Sequence, residues 1–414
     1  MHTNEEIKQR AILIAVNMGS YDVEASLDEL EELTETAGAE VVSRVVQNLQ
    51  SPNNATYIGQ GKLLEVKEFA EQQGVNLLIF DDELSGAQIR NIEDAVGIDV
   101  IDRTMLILDI FAQRALSNEG KLQVELAQQK YLLPRLYGMG KQLSKQQGGI
   151  GSRGPGESKL ESDKRHIRRR IDSLEAELKE LSERRVRVRE RRAKNDIATI
   201  AIVGYTNVGK STLLNLLTDA GVLVKDMLFA TLDPTARALT LPDGQTALLI
   251  DTVGLLRRLP HQLINAFKST LEEAANADLI LNLCDISNEN VSVQLEVTRS
   301  LIDELGGADI PTLTVYNKID KVDYENVTPI NDTLVFISAT ENRGIEALLN
   351  RIAKCLSESM KKLTLLIPYN KSSLLDVIRR NGKILSEEYQ NDGTLVTVSL
   401  DVKVAHQVEE YIVS

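Results

Sequence analysis

Short apolar runs alternate with helix-spaced apolar positions over the first part of the chain. Ala11–Val16 and Asn76–Phe80 are runs of strand length. Leu27–Leu33 and Ala87–Ala95 repeat their apolar residues at helical intervals. This alternation predicts a small α/β domain with a largely parallel sheet over residues 1–118. The pattern then changes. Leu122, Leu126, Leu133 and Leu136 share one helical face, and Ile171, Leu174, Leu178, Leu181 and Val188 follow a heptad seam with Arg185 at one a position. Between them lies Gly148–Gly156, a glycine-rich stretch with Pro155 that no helix tolerates. Residues 119–195 are therefore expected to form an antiparallel helical hairpin with a glycine-rich tip. A solvated linker helix is the other reading of its second arm.

Strand-length runs return at Ile197–Val203, Ala247–Asp251, Leu279–Asp285, Thr312–Asn317 and Leu334–Ser338, with helical stretches between most of them. That is the pattern of a doubly wound α/β domain, here over 196–360. In 361–414 the pattern predicts a strand at Leu363–Ile367 and a helix at Ser373–Arg380. A hairpin of Ile384–Gln390 and Thr394–Leu400 turns at Asp392-Gly393, and Val402–Val413 is expected to be a last helix. This last part reads as a small α+β domain.

Composition narrows the function classes. With 414 residues, 43% hydrophobic and 26% charged, the chain can bury several cores and is not disordered. Two cysteines, Cys284 and Cys355, exclude a disulfide scaffold and a cysteine-built zinc site. Four histidines without H-x-x-x-H spacing argue against a histidine-ligated metal. No signal-like h-region and no long apolar run occur, so no membrane span is expected and a cytoplasmic setting fits. A net charge of −14, 4% aromatics and no Trp make a base-stacking nucleic-acid reader a poor first candidate.

One motif changes the picture. Gly204-Tyr205-Thr206-Asn207-Val208-Gly209-Lys210-Ser211 matches G-x-x-x-x-G-K-[ST], with a predicted strand leading in and a predicted helix, Thr212–Leu217, leading out. Such a loop wraps phosphates with its backbone N–H groups, aided by the helix N-terminus. Lys210 would set a point charge on the β- and γ-phosphates, and Ser211 would supply a hydroxyl ligand to Mg²⁺. Later residues choose the base. Asp251-Thr252-Val253-Gly254 ends a strand; its Asp can hold Mg²⁺ through water and the Gly254 N–H can meet the γ-phosphate. Asn317-Lys318-Ile319-Asp320 ends another, and the Asp320 carboxylate can accept two hydrogen bonds from guanine N1–H and its exocyclic amine. Adenine offers no such donor pair. Ser338-Ala339-Thr340 follows a further strand and can offer backbone N–H to the base oxygen. Open α/β sheets bind ligands at these strand ends.

In this order the motifs resemble those of the translation-factor-like P-loop GTPases. The resemblance implies a first switch at Phe229-Ala230-Thr231-Leu232-Asp233, with Thr231 binding Mg²⁺ and the γ-phosphate; Thr235 is the alternative. Lys210, Thr231 and Gly254 are then the catalytic set, and Ser211 and Thr231 the metal ligands. The chain departs from many such GTPases at Leu255, where a water-orienting Gln is common. Slow intrinsic hydrolysis is expected, with water positioned by another group or after a partner rearranges the switches. Arg257 and Arg258 are read as contacts for phosphate-rich partners or solvent, not as an arginine finger.

Outside this domain, Tyr57–Lys62, Phe80–Ser85, Asp102-Arg103-Thr104, Gln123–Ala127 and Gly151–Glu157 resemble the HflX family, as do Phe229–Asp233 and the missing Gln. The resemblance spans residues 5–360. It implies a GTPase that hydrolyses GTP with Mg²⁺, binds the large (50S) ribosomal subunit, and splits stalled or idle 70S ribosomes. It also implies that the tip at Gly148–Gly156, with Arg153, reaches toward the peptidyl transferase centre; from the residues alone the tip also reads as a surface loop.

Charge offers a separate test. Residues 121–194 hold 20 Lys+Arg against 10 Asp+Glu, a net +10 that leaves −24 for the rest. A basic stripe on an acidic chain is the footprint of phosphate-backbone contact; pairing with Glu175, Glu177 and Glu183 on a solvated coil is the alternative. The expected partners are GTP/GDP and ribosomal RNA, with a chain monomeric when free. The rival function is a regulatory switch acting on a protein or membrane complex. Gly149 and Gly154 repeat the phosphate-loop spacing, but Pro155-Gly156 stands where Lys-Ser would be, and no strand leads in, so no second phosphate loop is expected.

Overall fold

The computed structural model describes residues 9–145, 155–194, 197–218, 235–258, 272–322, 333–371, 373–401 and 408–413. The chain divides into two compact units: Met1–Glu180 with Asp226–Leu232 and Arg257–Lys268, and Leu181–Lys225 with Asp233–Leu256 and Ser269–Ser414.

The first unit opens with β1 (Arg10–Asn17), α1 (Val23–Thr36), β2 (Glu40–Asn48), α2 (Gln60–Gln73), β3 (Leu77–Phe80), α3 (Gly86–Val96), β4 (Asp99–Asp102) and α4 (Arg103–Arg114). The strands lie in the order β2-β1-β3-β4, all parallel, as the pattern implied. Side chains start the helices. Asp22 accepts the Ala25 N–H at α1, Ser85 and Gln88 form a reciprocal capping box at α3, and Asp102 accepts the Met105 N–H at α4. Helices are needed on both sheet faces, because β1 and β3 are buried along nearly their whole length. Four of these elements were not marked by the pattern. Two of them show why. β2 is an edge strand whose valines are only half-buried, and β4 is four residues long.

Two long helices follow, α5 (Asn118–Lys145) and α6 (Pro155–Lys194). Arg170 forks onto Glu125 at 2.6 and 2.7 Å, and Lys130 pairs with Glu175 at 2.7 Å. The heptad seam is buried only near its start: Ile171 and Leu174 are covered, Leu178 and Leu181 half-buried, and Val188 is exposed. The tip residues 148–154 lie outside the described residues.

The second unit carries β5 (Ala198–Gly204), α7 (Lys210–Thr218), β6 (Thr235–Thr240), β7 (Thr246–Asp251), β8 (Leu279–Asp285), α8 (Val291–Glu304), β9 (Thr312–Asn317), β10 (Leu334–Phe336) and α9 (Ile345–Ser359). The sheet order is β10-β9-β8-β5-β7-β6, parallel except for β6. β6 escaped the pattern because most of it is exposed. Last come β11 (Met360–Ile367), α10 (Ser373–Asn381), β12 (Gly382–Gln390) and β13 (Gly393–Asp401), an antiparallel sheet in the order β11-β13-β12 with the expected hairpin. The expected last helix is corrected. Residues 402–407 lie outside the described residues, and Glu409–Tyr411 form only a short 3₁₀ turn. The chain then turns extended, because the Val413 N–H bonds the Thr364 carbonyl and Ile412 bridges Leu365. Edge pairing with β11 takes the backbone groups a helix would have used.

Candidate nucleotide-binding site

β5, β7 and β9 bring three of the motifs to one edge of the central sheet, and the turn after β10 brings the fourth. The loop after β5 turns through Asn207 and Gly209, both at positive φ (60° and 96°). Gly209 has a second reason to lack a side chain: a Cβ there would meet Asn317 Nδ2 at 2.4 Å. Lys210, at the start of α7, is 7% exposed, and its Nζ donates to the carbonyls of Gly204 and Tyr205 at 3.1 and 2.6 Å. Burial pushes its ammonium down to about 8. Ser211 Oγ donates to Asp251 Oδ2 at 2.9 Å, and Thr252 Oγ1 donates to the Ile202 carbonyl at 2.8 Å, fixing the end of β7 beside β5.

Past Val253, Gly254 lies against the loop. A Cβ on it would meet Thr206 Cγ2 at 2.6 Å, Thr206 Cα at 2.9 Å and Lys210 Nζ at 3.1 Å. Leu255 straps the turn down: its N–H donates to the Gly204 carbonyl at 3.1 Å, and its carbonyl accepts the Thr206 N–H at 2.9 Å.

The residues expected to read the base are tied to the same loop. Asn317 Nδ2 donates to the Val208 carbonyl at 2.9 Å, and its Oδ1 accepts the Ala339 N–H at 3.0 Å. Lys318 Nζ donates to the Asn207 carbonyl at 2.8 Å and pairs with Asp285 at 2.7 Å. Ile319 is buried beneath the turn. Asp320 is exposed, and Ser338 Oγ donates to its carboxylate at 2.5 Å, which holds its pKa down. Thr340 Oγ1 lies 3.1 Å from Ser338 Oγ.

Every expected site residue that falls among the described residues thus lies in one linked set of loops. Phe229, Ala230, Thr231, Leu232 and Asp233 lie outside the described residues; Thr235 begins β6, opposite Asp251. One expectation is corrected. Arg258 does not face solvent or a phosphate partner alone: its guanidinium pairs with Asp81 and Asp82. Sequence reading missed Asp285 as a support of this site, since its role is one of contact, which no spacing announces.

For Mg²⁺ the donor set fits. A hydroxyl and a buried carboxylate stand hydrogen-bonded beside a phosphate loop, both hard oxygen ligands. Among the described residues no group of three or more His, Cys, Asp or Glu could hold a metal.

A phosphate loop, a D-x-x-G turn and an N-K-x-D guanine motif on one parallel sheet define a P-loop GTPase. Models of four families match in succession: GTP-binding GTPase N-terminal over 24–112, GTP-binding GTPase middle region over 114–192, 50S ribosome-binding GTPase over 199–318, and HflX C-terminal domain over 326–411. The GTPase HflX of Caldanaerobacter subterraneus subsp. tengcongensis is 48% identical over 407 residues, covering 98% of this chain and 94% of that one. The GTPase HflX of Escherichia coli is 39% identical over 403 residues, covering 96% and 93%. A GTP-binding protein from Sulfolobus solfataricus, solved in complex with GDP, is 28% identical, with a TM-score of 0.45 over 84% of this chain and 99% of that one. The chain belongs to the HflX family of GTPases.

Proposed function

We propose that this GTPase works on the large (50S) ribosomal subunit and splits stalled or idle 70S ribosomes, hydrolysing GTP with Mg²⁺ in the cytoplasm. The observation that carries the reading is the match of 199–318 to the 50S ribosome-binding GTPase model within a full-length family match. The charge distribution supports it independently. Arg165, Arg168 and Arg169 are exposed on α6, whereas Arg170 is engaged by Glu125. Basic contacts with ribosomal RNA through 121–194 follow from that placement. The proposed division of labour is an N-terminal α/β domain (1–118), a helical hairpin (119–195), the GTPase domain (196–360) and a C-terminal domain (361–414).

In the nucleotide site, the N–H groups of Gly204 to Ser211 receive the phosphates, and Lys210 sets its charge on the β- and γ-oxygens. Ser211 and Thr231 would hold Mg²⁺, with Asp251 reaching it through water, and the ion would supply positive charge against the phosphates. Gly254 N–H reads the γ-phosphate. Asp320 receives guanine N1–H and amine, while Asn317, Lys318, Ser338, Ala339 and Thr340 shape the base pocket. Leu255 offers no hydrogen bond to water, so hydrolysis by the isolated chain is slow.

Co-sedimentation with 50S subunits tests the reading. Binding with a non-hydrolysable GTP analogue and weaker binding with GDP is the expected result. Binding that ignores the nucleotide would favour a switch acting on a protein or membrane complex.

A further inference from the structure

β8 and β9 end side by side in the second unit, with Asp285 opposite Asn317 in the register. Just past that point Asp285 Oδ2 accepts Lys318 Nζ at 2.7 Å. The other oxygen of the carboxylate is tied down by the turn that follows β8. Oδ1 accepts the Ser287 N–H at 3.0 Å and the Ser287 hydroxyl at 2.6 Å. An aspartate that bonds the backbone two residues on forms a turn of its own, so this carboxylate is held in place independently of the lysine. It is not among the guanine, phosphate or Mg²⁺ ligands proposed above, and its side chain is only 15% exposed.

Lys318 needs such a partner. Its ammonium is strongly hydrated and sits on a flexible four-carbon stem, yet only 20% of the side chain is exposed. Nζ donates to the Asn207 carbonyl at 2.8 Å as well as pairing with Asp285. The backbone at its root is set by its neighbours. Lys318 has φ +65°, the Asn317 carbonyl accepts the Ile286 N–H at 3.1 Å, and the Lys318 carbonyl accepts the Lys321 N–H at 3.0 Å. The turn thus fixes one end of the side chain, and Asp285 and Asn207 fix the other.

Lys318 therefore runs from the turn that carries Asp320 to the phosphate loop at Asn207. A nucleotide held by Asp320 at its base and by Gly204 to Ser211 at its phosphates lies along that span. A lone carbonyl is a weak hold on an ammonium, and the carboxylate adds a charge-assisted bond at the same point. Without it the ammonium turns to solvent, and the two loops lose this link. The pair is also neutral, so Lys318 supplies position and no net attraction for phosphate.

We propose that Asp285 is a positioning residue for nucleotide retention: by holding Lys318 against Asn207 it keeps the base-reading turn and the phosphate loop joined, and slows the release of GDP and GTP alike. The inference rests on the nucleotide site proposed above. Truncating one partner of a buried charge pair acts on dissociation, whereas freeing a positive charge beside a polyphosphate site speeds encounter or leaves it unchanged.

The test uses the full chain and stopped-flow binding of fluorescent GDP and a fluorescent non-hydrolysable GTP analogue. Asp285→Asn still accepts from Ser287 and should raise the release rate of both nucleotides by the same factor, about tenfold, with association no slower than about half of wild type. Asp285→Glu keeps the charge and should release within about threefold of wild type. Asp285→Asn combined with Lys318→Met should release no faster than Lys318→Met alone, because both break one pair. If Asp285→Asn fails to fold, Ser287→Ala carries the measurement: it loosens the carboxylate at an exposed position and should speed release about threefold. Unchanged release in a folded variant, additive effects in the double variant, a factor confined to one nucleotide, or Asp285→Glu as fast as Asp285→Asn would each overturn the proposal. Wild-type chain that bound neither nucleotide would instead overturn the site on which it rests.

Discussion

Asn317 is where the guanine motif, the phosphate loop and the Ser338-Ala339-Thr340 turn are joined. Its amide donates to the Val208 carbonyl at 2.9 Å and accepts the Ala339 N–H at 3.0 Å, both bonds buried. Val208 is 2% exposed and Ala339 6%. Asn317→Ala removes both partners at once and leaves a carbonyl and an N–H without water to replace them. Each such group costs about 1–3 kcal/mol, so the pair costs roughly 2–6 kcal/mol. Where the cost appears depends on the loops. If they relax in the nucleotide-free protein, they must be re-formed on binding, and GDP affinity falls by about thirtyfold to about twenty-thousandfold at ~1.4 kcal/mol per decade. If they do not relax, the same free energy is lost from stability and the melting temperature falls. Fluorescent-GDP titration and a thermal melt on one sample read both parts. Affinity within about threefold of wild type together with an unchanged melt would refute the reasoning, since the two bonds would then contribute nothing.

Asp320→Asn should weaken GDP by at least about a hundredfold and favour xanthosine diphosphate, because the carboxamide presents a donor where the guanine amine needs an acceptor; unchanged base preference in competition binding would remove Asp320 from the base pocket. Arg168→Gln with Arg169→Gln should lower the salt slope of 50S binding by up to about two, one phosphate contact each, and an unchanged slope would place the RNA contact elsewhere. Cys284 is 2% exposed, and burial pushes its thiol up to about 12. A thiol reagent at neutral pH should leave it untouched in the folded chain and label both cysteines only after unfolding.

The elements read correctly from sequence are those with strong periodic burial. β1, β3, β5, β8 and β9 are near-continuous apolar runs because both their faces are covered. β2 and β6 were not read because edge strands bury little, and their patterns carry little signal. The last helix was misread because Val408 is fully buried and Tyr411 packs on the same small core, apolar contacts that mimic a helical face while the backbone pairs with β11. In the candidate site, the motif residues that the sequence singles out and the structure describes fall in one linked set of loops. The supporting contacts, Lys318 on Asn207 and Asp285 or Asn317 on Val208, were not legible. They join residues far apart in the chain, through the backbone carbonyls of Asn207 and Val208, which have no sequence identity, and through the Lys318–Asp285 ion pair, which no spacing announces.

Leu255 was singled out for what it lacks, and its position explains the choice of residue. Its backbone is paired on both sides, to Gly204 and Thr206, and its side chain is 5% exposed within the core cluster that holds Tyr205 and Val208. A glutamine at this position would have to bury its amide among apolar side chains, at about 1–3 kcal/mol without new partners, or leave the cluster and give up the strap. The closed strap and a water-orienting side chain at residue 255 are therefore exclusive in this conformation. The expectation of slow intrinsic hydrolysis, with water oriented by a rearranged switch or by the proposed ribosomal surface, is therefore tied to a leucine that also stabilises the strap.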